Sequence, residues 1–133
     1  MKAPLFLTLA EVLQIHQDQI QRYGGEKGIR DLGLLESALA QPEASFLGEW
    51  LHKDLHEMAA AYAYHICQNH PFVDGNKRTA LACALVFLDL NQAGVFDPKG
   101  KLEDAMLRMA SGKMHKQEFA ELLRDLPMVH KGR

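Results

Sequence analysis

Two stretches of this chain, residues 55–69 and 76–91, are apolar around nearly their whole circumference, and only six residues separate them. The first runs through Met58, Ala59, Ala60, Ala61, Tyr62, Ala63, Tyr64, Ile66 and Cys67; the second carries Ala80, Leu81, Ala82, Cys83, Ala84, Leu85, Val86, Phe87 and Leu88. A helix that is apolar all round must be buried by others. A link this short returns the chain along its neighbour. The pattern therefore predicts an all-α domain, compact and helical, built around two antiparallel buried central helices with a polar loop between them.

The flanking segments supply helices to cover that pair. Thr8 and Glu11 form a capping box for a first helix reaching Tyr23, and Gly24-Gly25 ends it. Asp31 is placed to cap a second helix through Ala40, which Pro42 stops. Residues 43–52 read as a loop with a short helical turn. Asp54 caps the first central helix, with Glu57 as its reciprocal partner. Two shorter helices follow, over about 102–110 and 115–126, and a polar tail from 127 to 133 is expected to fray. No apolar alternation is long enough to argue for a sheet. The length of 133 residues suits one domain, with its core between about 5 and 126.

Net charge of -2 leaves no electrostatic footprint for general nucleic-acid binding, so no direct nucleic-acid partner is expected. Leu5-Phe6-Leu7 is too short for a signal peptide, and no stretch reaches the roughly 20 apolar residues of a membrane span. Cys67 and Cys83 both lie in apolar helices and read as reduced core thiols, which points to the cytoplasm.

The polar loop is the candidate site. Lys77 and Arg78 occupy the first turn of the second central helix, where the helix dipole already places positive charge. Unpaired backbone N–H groups add donors at the same end. That concentration calls for an anion, and phosphate is the usual one. His70 carries an imidazole, a side chain able to take a proton from an attacking hydroxyl. Asp74 is a hard oxygen ligand suited to Mg²⁺ shared with phosphate oxygens. Gly75 permits close backbone approach and a positive φ, while Asn76, Lys77 and Arg78 offer donors and charge. These parts suit transfer of a phosphate-containing group. The plainer reading is a turn at Asp74-Gly75, a helix cap at Asn76 and a solvated first turn at Lys77 and Arg78. A P-loop is excluded, because no strand precedes and the G-x-x-x-x-G-K-[ST] spacing is absent.

The run His70-Pro71-Phe72-Val73-Asp74-Gly75-Asn76-Lys77-Arg78 resembles the Fic/Doc family pattern H-x-F-x-[DE]-[GA]-N-[GK]-R. Arg22-Tyr23-Gly24-Gly25 and the stretch from Arg30 to Leu39 are similar to the N-terminal part of Doc toxins, and the likeness spans about residues 5–125. Fic adenylyltransferases have glycine in place of Lys77 and a second arginine in place of Leu81; the lysine is characteristic of the Doc branch. The resemblance therefore implies a protein kinase that uses ATP and Mg²⁺, transfers the γ-phosphate to a threonine of elongation factor Tu and arrests translation. It further implies His70 as base, Asp74 as metal ligand, and Gly75, Asn76, Lys77 and Arg78 around the nucleotide phosphates. Nucleotidyl transfer in the manner of Fic enzymes is the alternative, and a non-catalytic module that engages an antitoxin is the second. Many Fic proteins carry an inhibitory [ST]-x-x-x-E-[GN] helix. Ser45-Phe46-Leu47-Gly48-Glu49 approaches it, but Trp50 follows, so the resemblance implies a Phd-like antitoxin in trans.

Other residues invite functional readings. His52, His56 and Glu57 superficially suggest a metal site, but their order is wrong and they read as surface groups. His16 and Arg22 are placed to face the site from the first helix, with a local carboxylate partner the equal alternative for Arg22. Trp50 reads as a cover for the core, or else as an edge where a protein substrate docks.

Overall fold

The computed structural model describes residues 3–129. Its helices are α1 (Leu9–Tyr23), α2 (Leu32–Ala40), α3 (Leu55–Asn69), α4 (Asn76–Leu90), α5 (Lys101–Ala110) and α6 (Lys116–Asp125). The two central helices are α3 and α4, as the apolar pattern predicts, and each is 15 residues long. Small side chains let their backbones approach: Ala59, Ala60, Ala63, Ala80 and Ala84 are fully buried. Around them α2, α5 and α6 pack against α3, while α1 and α5 pack against α4. Cys67 and Cys83 are buried and free. None of the described helices is long and apolar enough to cross a membrane.

The capping residues act where the sequence places them. Thr8 and Glu11 form both bonds of the box at α1, and Asp31 accepts from Leu34 N at 2.9 Å. At α3, Asp54 accepts from Glu57 N at 2.8 Å, but the Glu57 carboxylate accepts from Lys53 N rather than from Asp54 N. The reciprocal bond is thus displaced by one residue.

Residues 43–52 do not contain the expected helical turn. Ser45–Phe46 (β1) and Glu49–Trp50 (β2) pair as an antiparallel hairpin. Its tip is Leu47-Gly48, both at positive φ, and Leu47 is 86% exposed. The stretch that approaches the inhibitory helix motif is therefore a strand pair. Trp50 is half-buried and meets Phe6 edge-on at 5.3 Å, so it covers the core from the hairpin. The tail also differs from expectation: Phe96 N donates to Pro127 O, and Val129 N donates to Gly94 O, which ties residues 127–129 to the loop after α4. The rest of that tail, 130–133, lies outside the described residues.

His52 is buried, not at the surface, and His56 is half-buried. The Lys116 ammonium, on α6, sits 3.1 Å from Nε2 of both His52 and His65, and lies 5.7 Å above the Tyr64 ring. Both imidazoles must be neutral to accept these bonds. Burial, followed by the Lys116 and His52 charges, pushes His65 down to about 4. Burial and Lys116 also lower His52, against the opposing pull of Glu57. A histidine depressed in the folded state favours that state fully above its unfolded value of ~6.5 and loses the contribution as pH falls toward the folded one. The unfolding midpoint should therefore drop as pH falls from about 6.5 to about 4. A His65→Gln variant should show a shallower fall, and equal slopes in the two proteins would sink the assignment.

Candidate active site

The loop between α3 and α4 is held from beneath by the segment that joins α1 to α2. Arg30 N and Asp31 N both donate to Pro71 O, at 2.7 and 3.0 Å, and Val73 N donates to Gly28 O at 3.0 Å. Ile29 and Phe72 form an isolated antiparallel bridge. Phe72 is fully buried and stacks on His16, ring centroids 3.8 Å apart and 6° from parallel. His16 Nε2–H donates to Asp74 O at 2.9 Å, so the first helix also grips the loop. Arg22, by contrast, is exposed and pairs with Asp18 at 3.0 Å, the local partner that the alternative reading expected.

His70 caps α3 in the left-handed region, φ 51° and ψ 52°, and its side chain is exposed at the mouth of the loop. Its ring is held by Asn76, which is 6% exposed. Phe72 N–H donates to Asn76 Oδ1 at 2.9 Å. That leaves Nδ2 to give one proton to Phe72 O at 2.9 Å and the other to His70 Nδ1 at 3.1 Å. Both amide protons are spent inside the loop. The Asn76 side chain thus orients His70, and its backbone N–H is what remains for an external acceptor. In the neutral ring held this way the proton sits on Nε2.

Asp74 is exposed, with Oδ2 accepting from Glu26 N at 3.1 Å and Oδ1 from Gly75 N at 2.8 Å. The Glu26 amide, then that of Gly75, hold the carboxyl below its ordinary range, with lesser help from Arg78 and His16. It remains a carboxylate at neutral pH with lone pairs to spare, the chemistry Mg²⁺ selects. A glycine is required opposite it: a Cβ at Gly25, whose φ is +119°, would fall 2.8 Å from Asp74 Oδ2.

Gly75, at φ 75°, precedes α4 and supplies no side-chain cap. The first backbone bond of the helix runs from Thr79 N to Gly75 O. The amides of Asn76, Lys77 and Arg78 have no acceptor among the described residues, so the helix start is an open anion cradle. Lys77 is exposed, and Arg78 is half-buried. Arg78 donates to Tyr23 O at 3.2 Å and Gly24 O at 2.8 Å, and its guanidinium lies 5.7 Å above the Tyr23 ring. It closes the end of α1 while keeping further N–H donors. Lys77 and Arg78 line a cavity of about 440 Å³ with Tyr23, Leu81, Leu85 and Met106.

The structure thus gathers His70, Asp74, Gly75, Asn76, Lys77 and Arg78 on one loop and one helix start. The parts that the sequence reading missed are supporting ones: Arg30, the Glu26 amide and the Gly25 gap. Their only visible signals were the Gly24-Gly25 pair and an unassigned arginine beside a helix cap.

A helical domain that gathers an imidazole, an ionised carboxylate and an open helix N-terminus on one loop presents a candidate anion site, and residues 6–88 match the model of the Fic/DOC family. The chain belongs to that family. It is 37% identical over 116 residues to "Protein kinase doc" of Escherichia phage P1, covering 87% of this chain and 90% of that protein. It is 42% identical over 92 residues to "Toxin Doc" of Mycolicibacterium smegmatis, covering 67% of this chain and 70% of that one.

Proposed function

We propose that this chain is a Doc-type toxin acting as a protein kinase. It takes ATP with Mg²⁺, transfers the γ-phosphate to a hydroxyl of elongation factor Tu, and so arrests translation in the cytoplasm. The observation that carries the reading is the helix start itself. Three amides without acceptors among the described residues stand beside a carboxylate held ionised, one exposed lysine and a partly committed arginine. The phage relative named a protein kinase supports the choice of reaction.

In this reading the α4 amides, Lys77 and Arg78 bind the phosphates, and Asp74 holds the cation. Mg²⁺, when bound, neutralises charge on the phosphate oxygens. His70 takes the proton from the attacking hydroxyl. Because Asn76 keeps the ring proton on Nε2 at rest, base action at that nitrogen requires Nδ1 to be released and to take the ring proton. Control would come from a Phd-like antitoxin in trans, since residues 45–49 form a hairpin and not an inhibitory helix. The apolar wall of Leu81, Leu85, Met106 and Leu107 beside two cations suits an amphipathic acidic segment.

The test is transfer to elongation factor Tu from ATP labelled at the γ- or at the α-phosphate. Label from γ alone is expected, with a lower rate in Lys77→Gly. Label from α would make the chain a nucleotidyltransferase and remove the weight placed on Lys77. No label, with an active Doc protein working alongside, would leave a binding module.

A further inference from the structure

We infer that Arg30 is a positioning residue for His70, acting through the backbone and not through substrate. The Arg30 guanidinium donates from Nε to His70 O at 2.7 Å and from Nη2 to Asn69 O at 3.0 Å. Those carbonyls belong to the two peptide planes that flank the His70 Cα. Fixing both planes fixes φ and ψ together, and hence the direction in which Cβ leaves the chain.

That constraint is needed at this position. His70 is one of three non-glycine residues at positive φ among those described, a conformation a β-carbon disfavours. A left-handed residue at a helix end is ordinarily glycine, but imidazole chemistry requires a side chain here. The last carbonyls of α3 would otherwise face solvent without a partner, and a cation at a helix C-terminus is favoured by its dipole. The guanidinium fork matches two adjacent carbonyls as a single ammonium cannot. The Arg30 backbone is itself anchored, since its N–H and that of Asp31 both bind Pro71 O. Arg30 therefore holds the His70 backbone from one side while Asn76 holds the ring from the other. The nucleotide cradle at α4 touches neither Arg30 contact.

The inference rests on the reading of His70 as the group that receives the hydroxyl proton, and its test separates the two. The full chain would be compared with Arg30→Met, which keeps the stem and removes the donors, and with Arg30→Lys, which keeps the charge and one donor site. Transfer from γ-labelled ATP should show kcat lowered on the order of 10–100-fold in Arg30→Met, as for a displaced reacting group. Its KM and calorimetric Kd for Mg²⁺-ATP should stay within about twofold, and Arg30→Lys should fall between. In ¹⁵N spectra, the His70 ring should give one sharp signal set in the parent, with Nδ1 unprotonated, and broadened or multiple sets in Arg30→Met. Unchanged kcat together with an unchanged ring spectrum would overturn the inference. So would equal losses in kcat and ATP affinity, which mark a general structural role. If the parent transfers no phosphate at all, the kinase reading fails, and the ring spectra alone still decide whether Arg30 holds His70.

Discussion

His70→Ala is expected to lose transfer by on the order of 10²–10⁴-fold, the range for removing a positioned general base, while the unfolding midpoint barely moves. The stability half of this expectation follows from the site. The imidazole is exposed, and its one side-chain hydrogen bond among the described residues is to Asn76, which keeps its bonds to both polar groups of Phe72 without it. Histidine tolerates left-handed φ somewhat better than alanine does, so the substitution adds only a small backbone cost. The activity half follows from geometry, because no other described imidazole shares the loop with Asp74 and the open start of α4. His16 is spoken for by Asp74 O and Phe72. Growth arrest on expression and γ-label transfer both report the outcome. Full toxicity with an intact fold would remove His70 from the chemistry and return the loop to a turn with a helix cap.

The central helix pair was legible because burial imposes its own composition: nothing else requires fifteen residues with no polar face. The caps at Thr8 and Asp31 were legible because they are local, needing only residues three apart. The hairpin was not, since two paired residues on each side leave no alternation to read, and its tip depends on Leu47 taking a positive φ that no composition announces. Lys116 between His52 and His65 was invisible because the groups lie 51 and 64 residues from it in sequence. The site divides in the same way. Its candidate groups are contiguous and are legible together as a motif. Their supports are long-range: Arg30 acts across about forty residues and Arg78 across fifty-five. Asn76 shows the remaining failure. The sequence places this residue type in the candidate loop, yet an amide offers two protons and one acceptor, and only the folded geometry tells which way each is turned.

Asn76→Ala should do what His70→Ala does not, and lower stability and transfer together. Truncation leaves Phe72 N–H and C=O unpaired where Phe72 is fully buried. Each such group costs ~1–3 kcal/mol, so a combined loss of about 2–6 kcal/mol is expected. For a domain of this size that lowers the unfolding midpoint by roughly 7–20 °C. Alanine is the best helix former, so backbone propensity at the start of α4 does not confuse the result. Asn76→Asp separates the two roles. A carboxylate still accepts from Phe72 N–H, but it repels Phe72 O and so destabilises by a similar amount. It also turns an acceptor toward His70 Nδ1, which draws the ring proton there and leaves Nε2 free. At saturating ATP, Asn76→Asp should therefore transfer phosphate faster than Asn76→Ala despite comparable instability. Equal rates would mean that Asn76 serves only to pin Phe72, and that the direction of its hydrogen bond to His70 is without consequence for the reaction.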